Sequence, residues 1–169
     1  MIDDLHVHVS GLQRYAFLLC RNHSDAEDLV QESLAKAIAA AHTYQSGKSL
    51  RAWLFSILHN TFVTHRRQYA RRARAATFLS ATSEDGASPS DQEHVVEAQQ
   101  TLRALHRLNP DQQAALILIA IEGMSYVEAA ETLDVPIGTL MSRLARGREQ
   151  LRRLLDGHGP HPNRLKAVR

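Results

Sequence analysis

Apolar residues recur every three to four positions along almost the whole chain, and no stretch alternates with the period of two that a half-buried strand requires. That spacing restricts the chain to an all-α fold, in which each helix buries one stripe and exposes the rest. Val9, Leu12, Ala16 and Leu19 mark a first helix. Ser24-Asp25-Ala26-Glu27 reads as a capping box that opens a second helix, whose stripe is Ala26, Val30, Leu34, Ala37 and Ala41. Gly47 and Ser49 then break the chain, and a third helix from about residue 50 carries Leu50, Leu54, Ile57, Leu58, Thr61 and Phe62 on one face, ending near Arg74.

Residues 80–92 are small, polar and acidic, with Gly86 and Pro89, and hold too little apolar surface to offset the entropy of ordering them. They predict a flexible linker between two small helical domains: residues 1–78 and 94–156, with 79–93 between. In the second domain Ser90 and Glu93 form another possible capping box ahead of Val95, Ala98, Leu102 and Leu105. Asn109-Pro110 restarts the chain as N-cap and first helical residue, and the apolar run Leu116–Ile121 is read as one helix up to Gly123. Ser125 with Glu128 caps the next helix, Val135-Pro136-Ile137-Gly138 breaks it, and a long helix follows from about Thr139 to Leu155. Residues 157–169 contain two prolines and few apolar side chains, and predict a disordered tail.

Composition narrows the function classes. The 169 residues have 44% hydrophobic content, a mean hydropathy of −0.30 and no apolar run long enough to span a bilayer. An acidic N-terminus (Asp3, Asp4) argues against export, and a single cysteine, Cys20, excludes an internal disulfide framework, so a reducing cytoplasm is expected. No nucleophile elbow, phosphate loop or metal-ligand cluster points to an enzyme, and no cofactor is expected. The chain has 10 histidines, but His6-x-His8 and His158-x-x-His161 lack fixed carboxylate or thiolate partners, so no specific metal site is expected.

The formal charge of +2 hides segregation. Residues 51–75 hold six arginines and no acid, and residues 136–169 hold eight basic and two acidic side chains. Residues 76–135 between them hold two basic and ten acidic. Two separate basic blocks suit two contacts with a polyanion, although solvated helix faces would show the same pattern.

Three constellations carry the functional reading. Residues 125–133, the break at 135–138 and the basic helix beyond have the order and spacing of a helix-turn-helix. On the second helix Leu140, Leu144, Leu151, Leu154 and Leu155 form the packing stripe, while Thr139, Ser142, Arg143, Arg146 and Arg153 form another face, flanked by Arg148 and Arg152. Arginine can grip a guanine edge and hydroxyls can contact phosphate or base, although an αα-hairpin with a charged surface is the plain alternative. Asp25, Asp28, Gln31 and Glu32 share the exposed side of the second helix, and on pattern alone a solvated face is the favoured reading. Trp53 and Phe55 precede His59, Asn60, Arg66 and Arg67; aromatics beside cations suit single-stranded nucleic acid, but a lone Trp opening an apolar helix is more often core, and the sequence leaves both open.

The order Asp25-Ala26-Glu27-Asp28-Leu29-Val30-Gln31-Glu32, then Arg51-Ala52-Trp53-Leu54-Phe55-Ser56-Ile57-Leu58-His59-Asn60, resembles region two of the extracytoplasmic-function sigma factors. Ser125-Tyr126 through Val135-Pro136-Ile137-Gly138-Thr139-Leu140-Met141-Ser142-Arg143-Leu144 resembles region four of the same family, and the two together span residues 8–75 and 95–155. The resemblance implies a monomeric promoter-specificity subunit of bacterial RNA polymerase that binds core polymerase and promoter DNA and is sequestered by an anti-sigma protein, its only route to a membrane. It implies core-polymerase contacts at Asp25, Asp28, Gln31 and Glu32, contacts with the minus-ten element at Trp53, Asn60, Arg66 and Arg67, and contacts with the minus-thirty-five element at Thr139, Ser142, Arg143, Arg146 and Arg148. The apolar helix before the helix-turn-helix would help to contact the polymerase flap. Thr64 stands where many members are acidic, Met141 where many have Lys, and Arg146-Gly147-Arg148 where Arg-Ala-Arg is usual. A glycine inside a helix costs about 1 kcal/mol against alanine, so Gly147 predicts looser final turns. The remaining rival is an autonomous helix-turn-helix regulator that binds a palindromic operator as a dimer.

Overall fold

The computed structural model describes residues 4–45, 47–75 and 93–156, and within them the secondary structure is helical with no strand. α1 (Leu5–Cys20) ends at Arg21, which takes a left-handed conformation (φ 70°) and returns its N–H to the Phe17 carbonyl. α2 (His23–Ala39) follows directly. Its N-cap is Asn22, whose side chain accepts the Asp25 N–H at 2.8 Å. The capping box expected at Ser24 is therefore not the one used: Ser24 already lies in the first turn, and asparagine, among the strongest N-caps, sits at the corner one residue after α1 reverses.

A 3₁₀ turn (Ala41–Thr43) and Gly47, at φ 100°, lead to α3 (Leu50–Ala75), where the Ser49 hydroxyl accepts the Ala52 N–H at 3.2 Å. The second unit contains α4 (Glu93–His106), α5 (Pro110–Leu116), α6 (Tyr126–Leu133) and α7 (Ile137–Asp156). Asn109 caps α5 with Pro110 at its start, and the Ser125–Glu128 capping box of α6 is complete in both directions. The apolar run after α5 is not one continuous α-helix. Ile117–Ile121 widens into a π-helical turn closed by the Glu122 N–H on the Ile117 carbonyl at 2.9 Å, which shifts the side chains beyond it around the axis. The Ser90 box, the linker expected at 79–92 and the tail at 157–169 lie outside the described residues.

In the first unit Leu12, Tyr15, Leu29, Leu54, Phe55 and Leu58 are almost completely buried; in the second, Ile117, Leu118, Leu140 and Leu144 are. These apolar residues form one continuous cluster, so the two units pack against each other. α3 lies against α6, and α1 against the π turn.

Gly147 overturns its sequence reading. It is buried where α7 crosses α5, and a Cβ there would sit 3.0 Å from Leu116 Cδ1 and 3.2 Å from Gln112 Cβ. The glycine lets α7 approach α5 closely, where any Cβ would press on Leu116 and Gln112, rather than loosening α7. Gly147→Val is expected to cost about 2 kcal/mol through overpacking and to lower the melting temperature by about 4–8 °C, read by thermal unfolding followed by circular dichroism. A melting point at or above that of the wild type would refute the tight crossing.

Candidate nucleic-acid interface

Three surfaces come from the helices just described. On α2 the buried stripe Ala26, Leu29, Val30, Ser33 and Ala37 turns the opposite side to solvent. Asp25, Asp28 and Gln31 are exposed there, on one side of the helix as the 3.6-residue repeat requires. Asp25 is also held by the Asn22 side-chain amide at 2.6 Å. Glu32, at the edge of this group, is tied inward: its carboxylate meets Lys36 Nζ at 2.6 Å and His65 Nε2 of α3 at 2.8 Å. The Lys36 hydrogen bond, aided by His65, holds the Glu32 carboxyl below the usual range. Glu32 thus links α2 to α3 as well as lying beside the acidic face.

On α3 the second half leaves the core. Asn60, Arg66, Arg67, Arg71 and Arg72 are exposed along it. Tyr69, 75% exposed, stands among these arginines. The sequence reading missed Tyr69; its signal was an aromatic falling off the apolar stripe of an arginine-rich helix. Trp53 is not part of that stretch. It is half-buried at the N-terminal end of α3, its ring tilted 5.4 Å from that of Tyr44 in the segment before the helix. Phe55 is fully buried, in tilted contact with Tyr15 at 5.4 Å, so of the two aromatics only Trp53 presents any surface.

α6 and α7 form the helix-turn-helix. Asp134, in the left-handed region at φ 51°, ends α6, and α7 begins two residues earlier than its expected start at Thr139. Leu140 and Leu144 seat α7, leaving Ser142 and Arg146 exposed and Thr139 and Arg143 half-buried beside them. Ser142 Oγ donates to the Thr139 carbonyl at 2.9 Å, and Arg143 is drawn to Asp111 of α5 at 2.8 Å. Arg148 does not join this face. Nine residues after Thr139 it lies half a turn round the helix, exposed on the same flank as Arg152. Arg152 and Arg153 both pair with Glu149, at 2.5 and 2.9 Å. Exposed pairs of this kind add little to stability.

Among the described residues no group of three metal-ligating side chains converges, and no helix is long and apolar enough to cross a membrane. The arrangement offers exposed guanidiniums and hydroxyls on two helices and carboxylates on a third, which serves binding.

Comparison with known proteins follows the same division. The Sigma-70 region 2 family model matches residues 6–72, and the Sigma-70 region 4 model matches residues 98–151. Over 153 residues the chain is 37% identical to the ECF RNA polymerase sigma factor EcfG of Rhodopseudomonas palustris, covering 90% of this chain and 83% of that one. Among solved structures it is similar to the sigma factor RpoE in complex with the anti-sigma factor NepR from Bartonella quintana, with a TM-score of 0.79, 34% identity, and 93% and 97% of the two chains covered. CnrH, solved in complex with the cytosolic domain of CnrY, aligns with a TM-score of 0.69 and 26% identity, covering 94% of this chain and 89% of that one.

Proposed function

The chain belongs to the ECF RNA polymerase sigma factors, and from that premise we propose how its surfaces divide the work of promoter recognition. The α2 face of Asp25, Asp28 and Gln31, with Glu32 at its edge, docks on core polymerase. The second half of α3, with Asn60, Arg66 and Arg67, holds the minus-ten element, and Trp53 with Tyr44 meets unstacked bases at the start of that helix. α7 enters the major groove at the minus-thirty-five element through Thr139, Ser142, Arg143 and Arg146, with Arg148 contacting phosphate from the flank. The chain does no nucleotide chemistry itself. An anti-sigma protein is its second partner: the relatives RpoE and CnrH are each solved with an inhibitory partner or a partner's cytosolic domain.

The observation that supports this reading best is the coexistence of an exposed acidic helix face and two separate exposed basic helix faces in one chain. Such a chain can hold an enzyme and a nucleic acid at once, and each modest site gains from the other by effective concentration. Run-off transcription with purified core polymerase on a promoter library tests it. Expected is initiation that depends on the chain and on two sequence elements; tight binding to symmetric duplex sites without polymerase would overturn it in favour of an autonomous regulator.

A narrower outcome concerns α7. Arg146→Ala is expected to lower initiation at promoters that need the upstream element about tenfold, the value of one lost guanidinium–base contact of about 1.4 kcal/mol. Arg143→Ala is expected to have a smaller effect in the same assay, because Asp111 competes with DNA for its guanidinium. Unchanged transcription with Arg146→Ala would remove that residue from the interface.

A further inference from the structure

We propose that Glu122 is a latch that holds the two helical units closed, and that it must release before the chain can occupy both promoter elements. The carboxylate is buried, with its side chain 0% exposed, and its charged partners come from the other unit. Arg14 of α1 donates Nε to Oε1 at 2.7 Å and a terminal nitrogen to Oε2 at 2.8 Å. Arg51 of α3 donates to Oε2 at 3.2 Å and also to the Glu122 backbone carbonyl. The receptor is shaped for this side chain. A Cβ on Gly11 would lie 3.1 Å from Oε2 and 3.2 Å from the Phe55 ring, while the Arg51 guanidinium stacks over that ring at 5.5 Å. A buried carboxylate stripped of its cations is strongly unfavourable, so the closed state depends on both arginines. The arginine side chains keep 50% and 30% of their exposure and would stay hydrated when the latch opens.

Other hydrogen bonds also cross the seam, among them Thr132 Oγ1 donating to the Ala52 carbonyl at 3.4 Å. His106 Nε2 and Gln113 Nε2 both meet the Leu18 carbonyl at 2.9 Å, Ser49 Oγ donates to Glu128 at 3.0 Å, and Arg21 donates to the His106 carbonyl. These polar bonds accompany the apolar contact that the two units share, and separation exposes both to water.

The consequence for function rests on the proposed sigma-factor role. Elements centred at minus ten and minus thirty-five lie about 25 base pairs apart, about 85 Å of straight duplex at about 3.4 Å per pair. A closed chain of this length has a radius of gyration of about 15 Å and measures about 40 Å across. It cannot reach both elements, so engagement requires the units to part at Glu122.

The test uses the full chain in a Cys20→Ala background, with fluorophores on Ala35→Cys of α2 and Ala145→Cys of α7. Glu122→Gln keeps the shape and removes the charge, and is expected to raise the low-transfer, open fraction at least fivefold with helicity unchanged. Arg14→Ala, which removes one arm from a half-exposed position, is expected to raise it about twofold to threefold. The unlabelled Glu122→Gln chain should also initiate run-off transcription severalfold faster at limiting polymerase. Unchanged energy transfer in both variants would overturn the latch, as would loss of helicity in both, since a latch leaves each unit folded. Because energy transfer is measured without polymerase, failure of the latch is distinguishable from failure of the sigma-factor reading, which the wild-type run-off assay decides.

Discussion

Replacing Asp28 and Gln31 together with alanine is expected to weaken binding to core polymerase at least a hundredfold while leaving the fold intact. Both side chains are exposed on α2, outside the stripe that packs on α1 and α3, and alanine favours a helix interior. Hot-spot residues near the centre of a protein interface cost about 2 kcal/mol or more each when truncated, and about 2.7 kcal/mol in all is a hundredfold in Kd. Glu32 is a poorer probe of the polymerase contact. Its carboxylate holds Lys36 and His65, so its removal would also loosen the contact between α2 and α3. Titration of labelled chain with core polymerase, with circular dichroism as the control, reads the outcome. Wild-type affinity in the double variant would take the acidic face out of the polymerase contact.

Stability is expected to hold above pH 6.5 and to fall by about 3 kcal/mol as pH drops from 6.5 to about 4. The group responsible is His59, whose ring Nδ1 lies 3.0 Å from the hydroxyl of fully buried Tyr15. Burial is the main cause that pushes its pKa down from 6.5 to about 4, with the positive charges of Arg143 and Arg66 adding to the shift and Asp111 opposing it. Between those two values the unfolded chain binds a proton that the folded chain refuses. Acid therefore favours unfolding by about 1.4 kcal/mol per pH unit within the window and leaves stability unchanged above it. Burial also lowers His8 and His106, which tilts the curve the same way. Burial, reinforced by the Glu122 charge, raises the Tyr15 hydroxyl, so it stays protonated throughout. Urea unfolding at pH 7, 6 and 5 measures the slope, and His59→Gln should flatten it. An equal slope in that variant would assign the effect elsewhere.

Much of this molecule can be read one helix at a time. The Asn109-Pro110 start of α5, the Ser125–Glu128 box of α6 and the long amphipathic α7 each depend on groups within a few residues of one another, so spacing and side-chain chemistry are sufficient. The α2 cap went to Asn22 rather than Ser24 because both are good caps and only the exit direction of α1 chooses between them. Arg148 lies on the flank of the reading face, as its nine-residue spacing from Thr139 dictates, while Leu140 and Leu144 fix which side of α7 packs. Gly147 carried the opposite meaning from its helix propensity because its role comes from Leu116 on another helix.

Helix content, the helix-turn-helix and the two-unit order were determined by the amino-acid sequence alone, through interactions that close within about four residues. The closed arrangement was decided only by the tertiary structure. In the sequence Glu122 is one more acid before a glycine, but a π turn and a partner 108 positions away make it the buried centre of the seam. Burial and charge pairing at that range depend on where whole helices meet, and no local pattern encodes that.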